Sequence, residues 1–510
     1  MNLLVVQQLA WGLRIGHPLA AALLARGHRL AAMVYGLETW SHLEGQTEVP
    51  YVYRWLADSV YDDGAAAVPS RLVREIEERY ELDSVWRLVA ADRVLAFSFR
   101  SSRHFTYRKP RSNDYLLSVV ASGYRRVRDM LDTWPADGVI APNVASLLNY
   151  MLYLECRCRK IPFHTVGFSR FGRTYLIGDD QHMMSSNVRA RFGELRARPE
   201  ASPRYDEARR LHERMLANER GVRPSYLPSA ARERPGRRLR SLAVATARLP
   251  LSLGAAVLRH RPALAVRNIW LPNNSRANHV HGIWTNYRER WGRVDNQGPA
   301  IRDLDRIDFD FIFYPLQLEP EMTLMMWAPQ FANQLEVCRR LAMGLPAGVR
   351  LVAKEHPNMV SSRRASYYEK LRGLLNVEMA HAKVPAPALF SHPRCRGVAV
   401  VTSTAGFEAA VAGVPVVVLG PVEYDVLPAI ERAATYEAAV AVLRRFCLEP
   451  RRPLTDDDRR ATVAYLAALV EEGFEGDYSE VWAGSEGAMP PALIADALER
   501  RLGGRGARAS

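Results

Sequence analysis

Between residues 309 and 420 the chain alternates strictly between strand-like and helix-like segments. The run FDFIFYPLQ is followed by a helical pattern through FANQLEVCRRLAMGL, then VRLVAKEHP, the helical SYYEKLRGLL, GVAVVTST, the helical AGFEAAVAG and VPVVVLG. Strands that return through a helix join a parallel sheet by right-handed crossovers. This stretch therefore predicts a doubly wound α/β domain, whose functional loops gather where its strands end.

The amino-terminal half repeats the theme more loosely. NLLVVQQ at 2–8, a loop from Gly12 to Pro18, the helical LAAALLARGHRL and the strand AAMVY at 31–35 read as a βαβ opening. A second unit is formed by GVIAP at 138–142 and FHTVGF at 163–168 around LLNYMLYLECRCRK. A chain of 510 residues exceeds what one hydrophobic core holds. The predicted architecture is α/β, with two Rossmann-like doubly wound domains facing a cleft. Its divisions are an amino-terminal domain at 1–215, a basic interdomain segment at 216–304, a second domain at 305–445, and carboxy-terminal helices with a tail at 446–510. No internal repeat is apparent.

A formal net charge of +14, almost all from arginine, suits an acidic partner. Nucleic acid is set aside, since neither a helix-turn-helix nor an aromatic-basic motif is present. The segment 232–267 flanks an apolar middle with Arg232, Arg234, Arg237, Arg238, Arg240, Arg248, Arg259, Arg261 and Arg267. That pattern suits an interfacial helix on anionic lipid as well as an ordinary docked basic helix. Arg248, Pro250 and Arg259 interrupt it, so it is too broken to span a membrane. The amino terminus lacks the basic region of a secretory signal and reads as a buried strand. Cys156, Cys158, Cys338, Cys395 and Cys447 show no paired metal spacing and read as reduced thiols. A cytoplasmic protein is expected, peripheral on the inner membrane face if the basic segment binds lipid.

Two loops carry the chemistry. Lys354-Glu355-His356-Pro357 stands where VRLVA runs out; an imidazole and an ammonium there both donate to a phosphate, and Pro357 holds the histidine extended. GVAVV leads to Thr402-Ser403-Thr404-Ala405-Gly406, the start of a helix whose free N–H groups form an anion site. Glu408, one turn in, is placed to accept from ribose hydroxyls; helix capping by Ser403 or Thr404 is the simpler role. Together these residues resemble the carboxy-terminal domain of bacterial capsule polysaccharide synthesis glycosyltransferases, including the Kdo transferases of capsule export systems. The segment Tyr314-Pro315-Leu316-Gln317-Leu318-Glu319-Pro320-Glu321 looks like that family's Pro-Leu-Gln loop, with Glu319 and Glu321 where capsule Kdo transferases tend to have an aspartate.

The resemblance implies a two-Rossmann-domain (GT-B) glycosyltransferase. Its nucleotide-sugar donor, CMP-linked among the candidates, is held at the phosphate by Lys354, His356, Pro357, Ser403, Thr404 and Gly406, with Gln317 and Glu408 beside it. The acceptor is a growing polysaccharide or its lipid-linked precursor. No resident cofactor is expected. Asp308-Phe309-Asp310 precedes a strand and reads as a domain entry, so metal independence is predicted. An inverting transfer needs a base in the amino-terminal half. Asp179 or Asp180, after FHTVGF, is one choice and His17 another, with Arg170 and Arg173 contacting an anionic acceptor or the donor. Competing readings are a hydrolysing UDP-sugar 2-epimerase, a polyol-phosphate polymerase using CDP-glycerol, and a non-catalytic capsule-assembly factor.

Overall fold

Leu3, Leu4, Val5 and Val6 have no exposed surface, because the strand they form lies at the centre of a sheet covered on both faces. This strand, β1 (Asn2–Gln8), pairs in parallel with β2 (Arg29–Tyr35) on one side and β4 (Gly138–Ala141) on the other. Leu4 stands level with both Ala31 and Val139. Outward from these lie β3 (Tyr53–Leu56), β5 (Phe163–Phe168) and β6 (Thr174–Gly178), the last antiparallel to β5. The structure is a computed structural model. It describes residues 1–63, 67–97, 111–169, 174–219, 235–259, 280, 283–284, 287, 297–360, 363–450, 453–476 and 490–503.

The second sheet is wholly parallel. Its strands β7 (Asp310–Pro315), β8 (Val349–Lys354), β9 (Val377–Ala380), β10 (Cys395–Val400), β11 (Val416–Val418) and β12 (Ile430–Arg432) lie in the order β12-β11-β10-β7-β8-β9. The chain winds outward from β7 through β8 to β9, then returns to lay β10 on the other side of β7. That reversal creates a crevice at the carboxyl ends of β7 and β10, where doubly wound sheets take ligands. The two-sheet α/β architecture expected from the alternation is present.

The ends of the predicted divisions need correction. The expected first domain, 1–215, includes 186–215. The helices Ser186–Leu195 and Tyr205–Leu216 instead pack with the helix Asp456–Glu472 in one apolar cluster with Phe311, Phe313 and Val352 of the second sheet. The stretch 446–510 was read as helices and tail. Its short strand β13 (Phe474–Glu475) pairs antiparallel with β6 and extends the first sheet, and the helix Pro491–Gly503 lies on the helix His17–Ala25. Gly473 makes the junction possible, since a Cβ there would stand 2.4 Å from Thr174 Cγ2 and 2.7 Å from the Leu469 carbonyl oxygen. The chain thus passes to the second half after β6 and back to the first after residue 472. The strand β12 is not announced in the sequence, since three residues are too short for periodicity to register.

Ile494 and Leu498 are fully buried, in a cluster with Trp11, Leu19 and Leu23. Leu498→Ala should therefore cost about 2–5 kcal/mol by lost burial plus a residual cavity. Urea denaturation followed by circular dichroism checks this. A midpoint unchanged from wild type would mean that the final helix is an appendage and not part of the first domain's core.

Candidate functional site

Three loops meet at the crevice between β7 and β10. The first follows β7, where Gln317 is buried and its side chain stitches this loop to the one after β10. In the amide orientation that satisfies both ends, its nitrogen donates to Thr402 Oγ1 at 3.2 Å. Its oxygen then accepts from the Thr402 and Ser403 N–H groups at 3.2 and 3.1 Å. Gln334 secures the same loop by donating to the Gln317 carbonyl at 3.2 Å.

The second loop follows β8. Lys354 is buried and its ammonium donates to the Glu355 carbonyl at 3.2 Å. Glu355 points inward with no exposed surface. Its carboxylate accepts from the His356 N–H at 2.6 Å, from Tyr368 Oη at 2.9 Å, and from the Arg363 guanidinium on both oxygens. The backbone turn at His356 is held by Nδ1, which accepts from the Asn358 N–H at 3.1 Å. A ring that accepts at Nδ1 carries its proton at Nε2. Burial, then the charges of Lys354 and Arg363, push His356 down to about 4. At neutral pH it is thus a neutral Nε2–H donor. Near neutrality His356 therefore adds a directed N–H and no charge, and the ammonium is that of Lys354.

The third loop opens the helix Thr404–Val411. Ser403 Oγ accepts from the Ala405 N–H at 3.2 Å, and the Tyr424 hydroxyl donates to the Ser403 carbonyl. Gly406 is sterically required. A Cβ there would come within 2.8 Å of Val400 Cγ2 and 2.9 Å of Tyr424 Oη, so only glycine lets the helix lie this close to β10. Thr404 and Glu408 are half-buried on the same helix, and Pro357 is exposed beside His356. Gln317, Lys354, His356, Ser403, Thr404 and Gly406 therefore all stand at or just past the carboxyl ends of the adjacent strands β10, β7 and β8.

The amino-terminal candidates are differently placed. Asp180 accepts from the N–H groups of His182 at 2.9 Å and Met184 at 2.8 Å, so it builds a turn. Burial pushes its carboxyl up, but hydrogen bonding from His182 and Met184 outweighs this and holds it below the usual carboxylate range. Asp179 accepts from the N–H and hydroxyl of Ser186 and from Arg501, at 3.2 Å for the arginine. His17 is buried with Nδ1 3.0 Å from Tyr51 Oη and Nε2 3.5 Å from Glu48. It shares no hydrogen bond or ion pair with either aspartate. Burial first, and His42 after it, lower its pKa despite Glu48. Arg170 and Arg173 lie outside the described residues. Asp310 belongs to the amino end of β7, paired with Arg396 at 2.6 Å, away from the crevice. Among the described residues no group of three or more His, Cys, Asp or Glu is arranged to hold a metal ion.

The turn that Asp179 and Asp180 build nevertheless reaches the second half. Trp327 Nε1 donates to the Gln181 carbonyl at 3.1 Å, the Ser185 N–H donates to Glu423 at 2.9 Å, and Arg189 donates to Asp425 at 2.7 Å. Glu423 escaped the sequence reading. Burial pushes its carboxyl up to about 7, against the hydrogen bond from Ser185 and the charge of Arg189, with Asp180 and Asp179 adding to the rise. Only its place just past VPVVVLG, where a strand ends, marked it in the sequence.

Residues 288–430 match the capsule polysaccharide biosynthesis protein family. The matched capsule segment contains all three loops of the crevice. No curated protein matches the chain by sequence. Among solved structures, the chain is similar to the β-Kdo 2,7 transferase of Thermosulfurimonas dismutans KpsC, with 14% identity over 73% of this chain and 88% of that one and a TM-score of 0.31. For the β-Kdo 2,4 transferase of the same protein the values are 13%, 66%, 79% and 0.29. For UDP-bound MnaA of S. aureus they are 10%, 98%, 97% and 0.27.

The depressed His356 pKa has a stability consequence with a fixed sign. The unfolded chain takes up the imidazole proton near pH 6.5 and the folded one only near 4, so stability falls as pH drops through that window. Between pH 7 and pH 4.5 the loss from this group is about 2 kcal/mol. His356→Asn should remove that part of the slope. Urea midpoints of both proteins at the two pH values check it, and parallel slopes would refute the buried neutral ring.

Proposed function

We propose that this chain is a glycosyltransferase of surface, capsular polysaccharide synthesis. It takes a sugar from a nucleotide-sugar donor bound at the crevice of the second sheet. The observation that carries this reading is that, within the segment that matches the capsule family, Lys354, His356 and the start of the helix Thr404–Val411 stand at the carboxyl ends of neighbouring parts of the sheet, beside one switch point. The Lys354 ammonium, a neutral imidazole donor and a helix amino terminus suit the growing negative charge on a departing nucleotide phosphate. They do so without a divalent ion, which makes metal independence part of the proposal. Glu408 would receive the ribose hydroxyls. The acceptor is a growing polysaccharide or its lipid-linked precursor, entering from the side of the first sheet. The oxygens of Asp179 and Asp180 are committed to their turn, so neither is assigned here as base.

A peripheral seat on anionic lipid is part of the same reading. The helix Pro235–Arg259 leaves Val244, Leu251 and Leu258 exposed beside Arg248, and apolar side chains with arginines along one helix favour an interfacial position. Among the described residues, no helix is long and apolar enough to cross a membrane.

Thermal unfolding of the protein with CMP, CDP, UDP, GDP and their common sugar conjugates tests the donor site. A ligand at 100 times its Kd stabilises the folded state by about 2.7 kcal/mol. One nucleotide class should raise the melting temperature, with EDTA making no difference, and His356→Ala should abolish the shift. A cooperative unfolding curve that no nucleotide moves would overturn the reading in favour of a non-catalytic assembly factor. UDP binding with release of free sugar would favour an epimerase.

Co-sedimentation with vesicles containing anionic lipid tests the membrane seat. Replacing Arg237, Arg238, Arg240 and Arg248 with glutamate should reduce the bound fraction. Binding unchanged by that reversal would remove the membrane from the proposal.

A further inference from the structure

We infer that Arg363 is a positioning residue that holds the loop after β7 and the loop after β8 in one fixed relation, so that His356 and the helix start that Gln317 secures face the donor phosphate together. This rests on the donor-site reading above. Arg363 is 4% exposed. Its Nη1 lies 2.5 Å from both Glu355 oxygens, and its Nη2 donates to the Gln317 carbonyl at 2.8 Å and lies 3.2 Å from Glu319. The guanidinium also stands over the Tyr367 ring, 4.7 Å from its centre.

One planar fork is thus divided between two loops that are nearly 40 residues apart in sequence. Nη1 serves the β8 loop through Glu355, which in turn binds the His356 N–H. Nη2 serves the β7 loop through the backbone of Gln317, whose side chain binds Thr402 and the Ser403 N–H. The chain of contacts runs from the imidazole's own peptide, through Glu355 and Arg363, to the start of the phosphate-facing helix. A lysine offers the same charge but no rigid pair of donors, so it serves one loop at a time. Fork geometry and mere charge balance therefore separate in experiment.

The test compares wild type with Arg363→Lys, using two readouts. Amide hydrogen exchange needs no ligand. Peptides covering 316–322 and 355–360 should exchange faster together in Arg363→Lys, while peptides covering 2–8 of the first sheet keep their protection. Nucleotide affinity is then measured by calorimetry with CMP, CDP, UDP and GDP. The nucleotide that wild type binds should lose about tenfold to a hundredfold in affinity, the scale on which a small displacement of binding groups acts.

Should Arg363→Lys fail to fold, Glu319→Gln and Glu355→Gln combined with Arg363→Met remove the cation together with both carboxylates that it faces. The same joint rise in exchange is expected. A rise confined to 355–360, unchanged exchange in both loops, or full nucleotide affinity in a folded Arg363→Lys protein would each overturn the inference. If wild type binds none of the four nucleotides, the donor reading fails, and the exchange data still decide whether Arg363 couples the loops.

Discussion

A carboxylate with no exposed surface, Glu355, lies at the carboxyl edge of the second sheet, and the crevice is organised around it. Removing an ion from water costs several kcal/mol even after relaxation, so a buried carboxylate is found only where its oxygens are fully engaged. Glu355 meets that condition with the Arg363 guanidinium, the Tyr368 hydroxyl and the His356 N–H. Each partner comes from a different part of the chain's local path, and each is held in place as a result. A well-packed apolar trio could match the stability. It could not dictate the direction in which the His356 peptide turns.

The position of this crevice follows from topology alone. A sheet whose strand order reverses next to its first strand separates the loops after β7 and β10. The first sheet has its own reversal beside β1, with β2 and β3 on one side and β4, β5 and β6 on the other. The chain binds the two halves by crossing between them twice. The helices after β6 pack on the second half, and β13 with the last helix completes the first. Met322 and Met326, in the loop that follows Gln317, pack against the first half's core. The loop after β7 is therefore anchored in both halves, and movement between them would act on Gln317 directly.

Much of this was legible in the sequence, for a physical reason. Parallel strands buried on both faces are written as continuous apolar runs, and FDFIFYP, VRLVA, GVAVV and VPVVV are such runs. The loops that follow them were equally legible, because Lys354, His356, Ser403 and Gly406 stand within a few residues of each strand's end. Strands of two or three residues, β12 and β13, carry too few side chains for a period to appear. Pairings across the chain left no local mark either. Arg363 in SSRRASYY reads as one more arginine of a basic chain, and nothing near it in sequence announces Glu355 and Gln317 as its partners. Glu423 meets Ser185 from 238 residues away. Asp179 and Asp180 read as candidate bases in the sequence; Ser186, Met184 and Arg501 show how fully their oxygens are occupied.

The electrostatics of the crevice also reverse a simple expectation. A strongly basic chain with a Lys-Glu-His-Pro loop suggests an anion site built from accumulated positive charge. In the structure Arg363 is neutralised by Glu355 and Glu319, and His356 is kept uncharged by burial and by the two cations beside it. The formal charge available to an incoming phosphate from this loop is that of Lys354; the other contributions are directed dipoles, an imidazole N–H and a helix amino terminus. Dipoles fixed by a rigid scaffold need little reorganisation as charge moves onto a leaving group, whereas mobile surface arginines must be reoriented and desolvated. The surplus of arginine elsewhere on the chain is thus no measure of the site. What distinguishes the crevice is that its hydrogen-bond donors are few, held by backbone turns, and aligned by a carboxylate with no exposed surface.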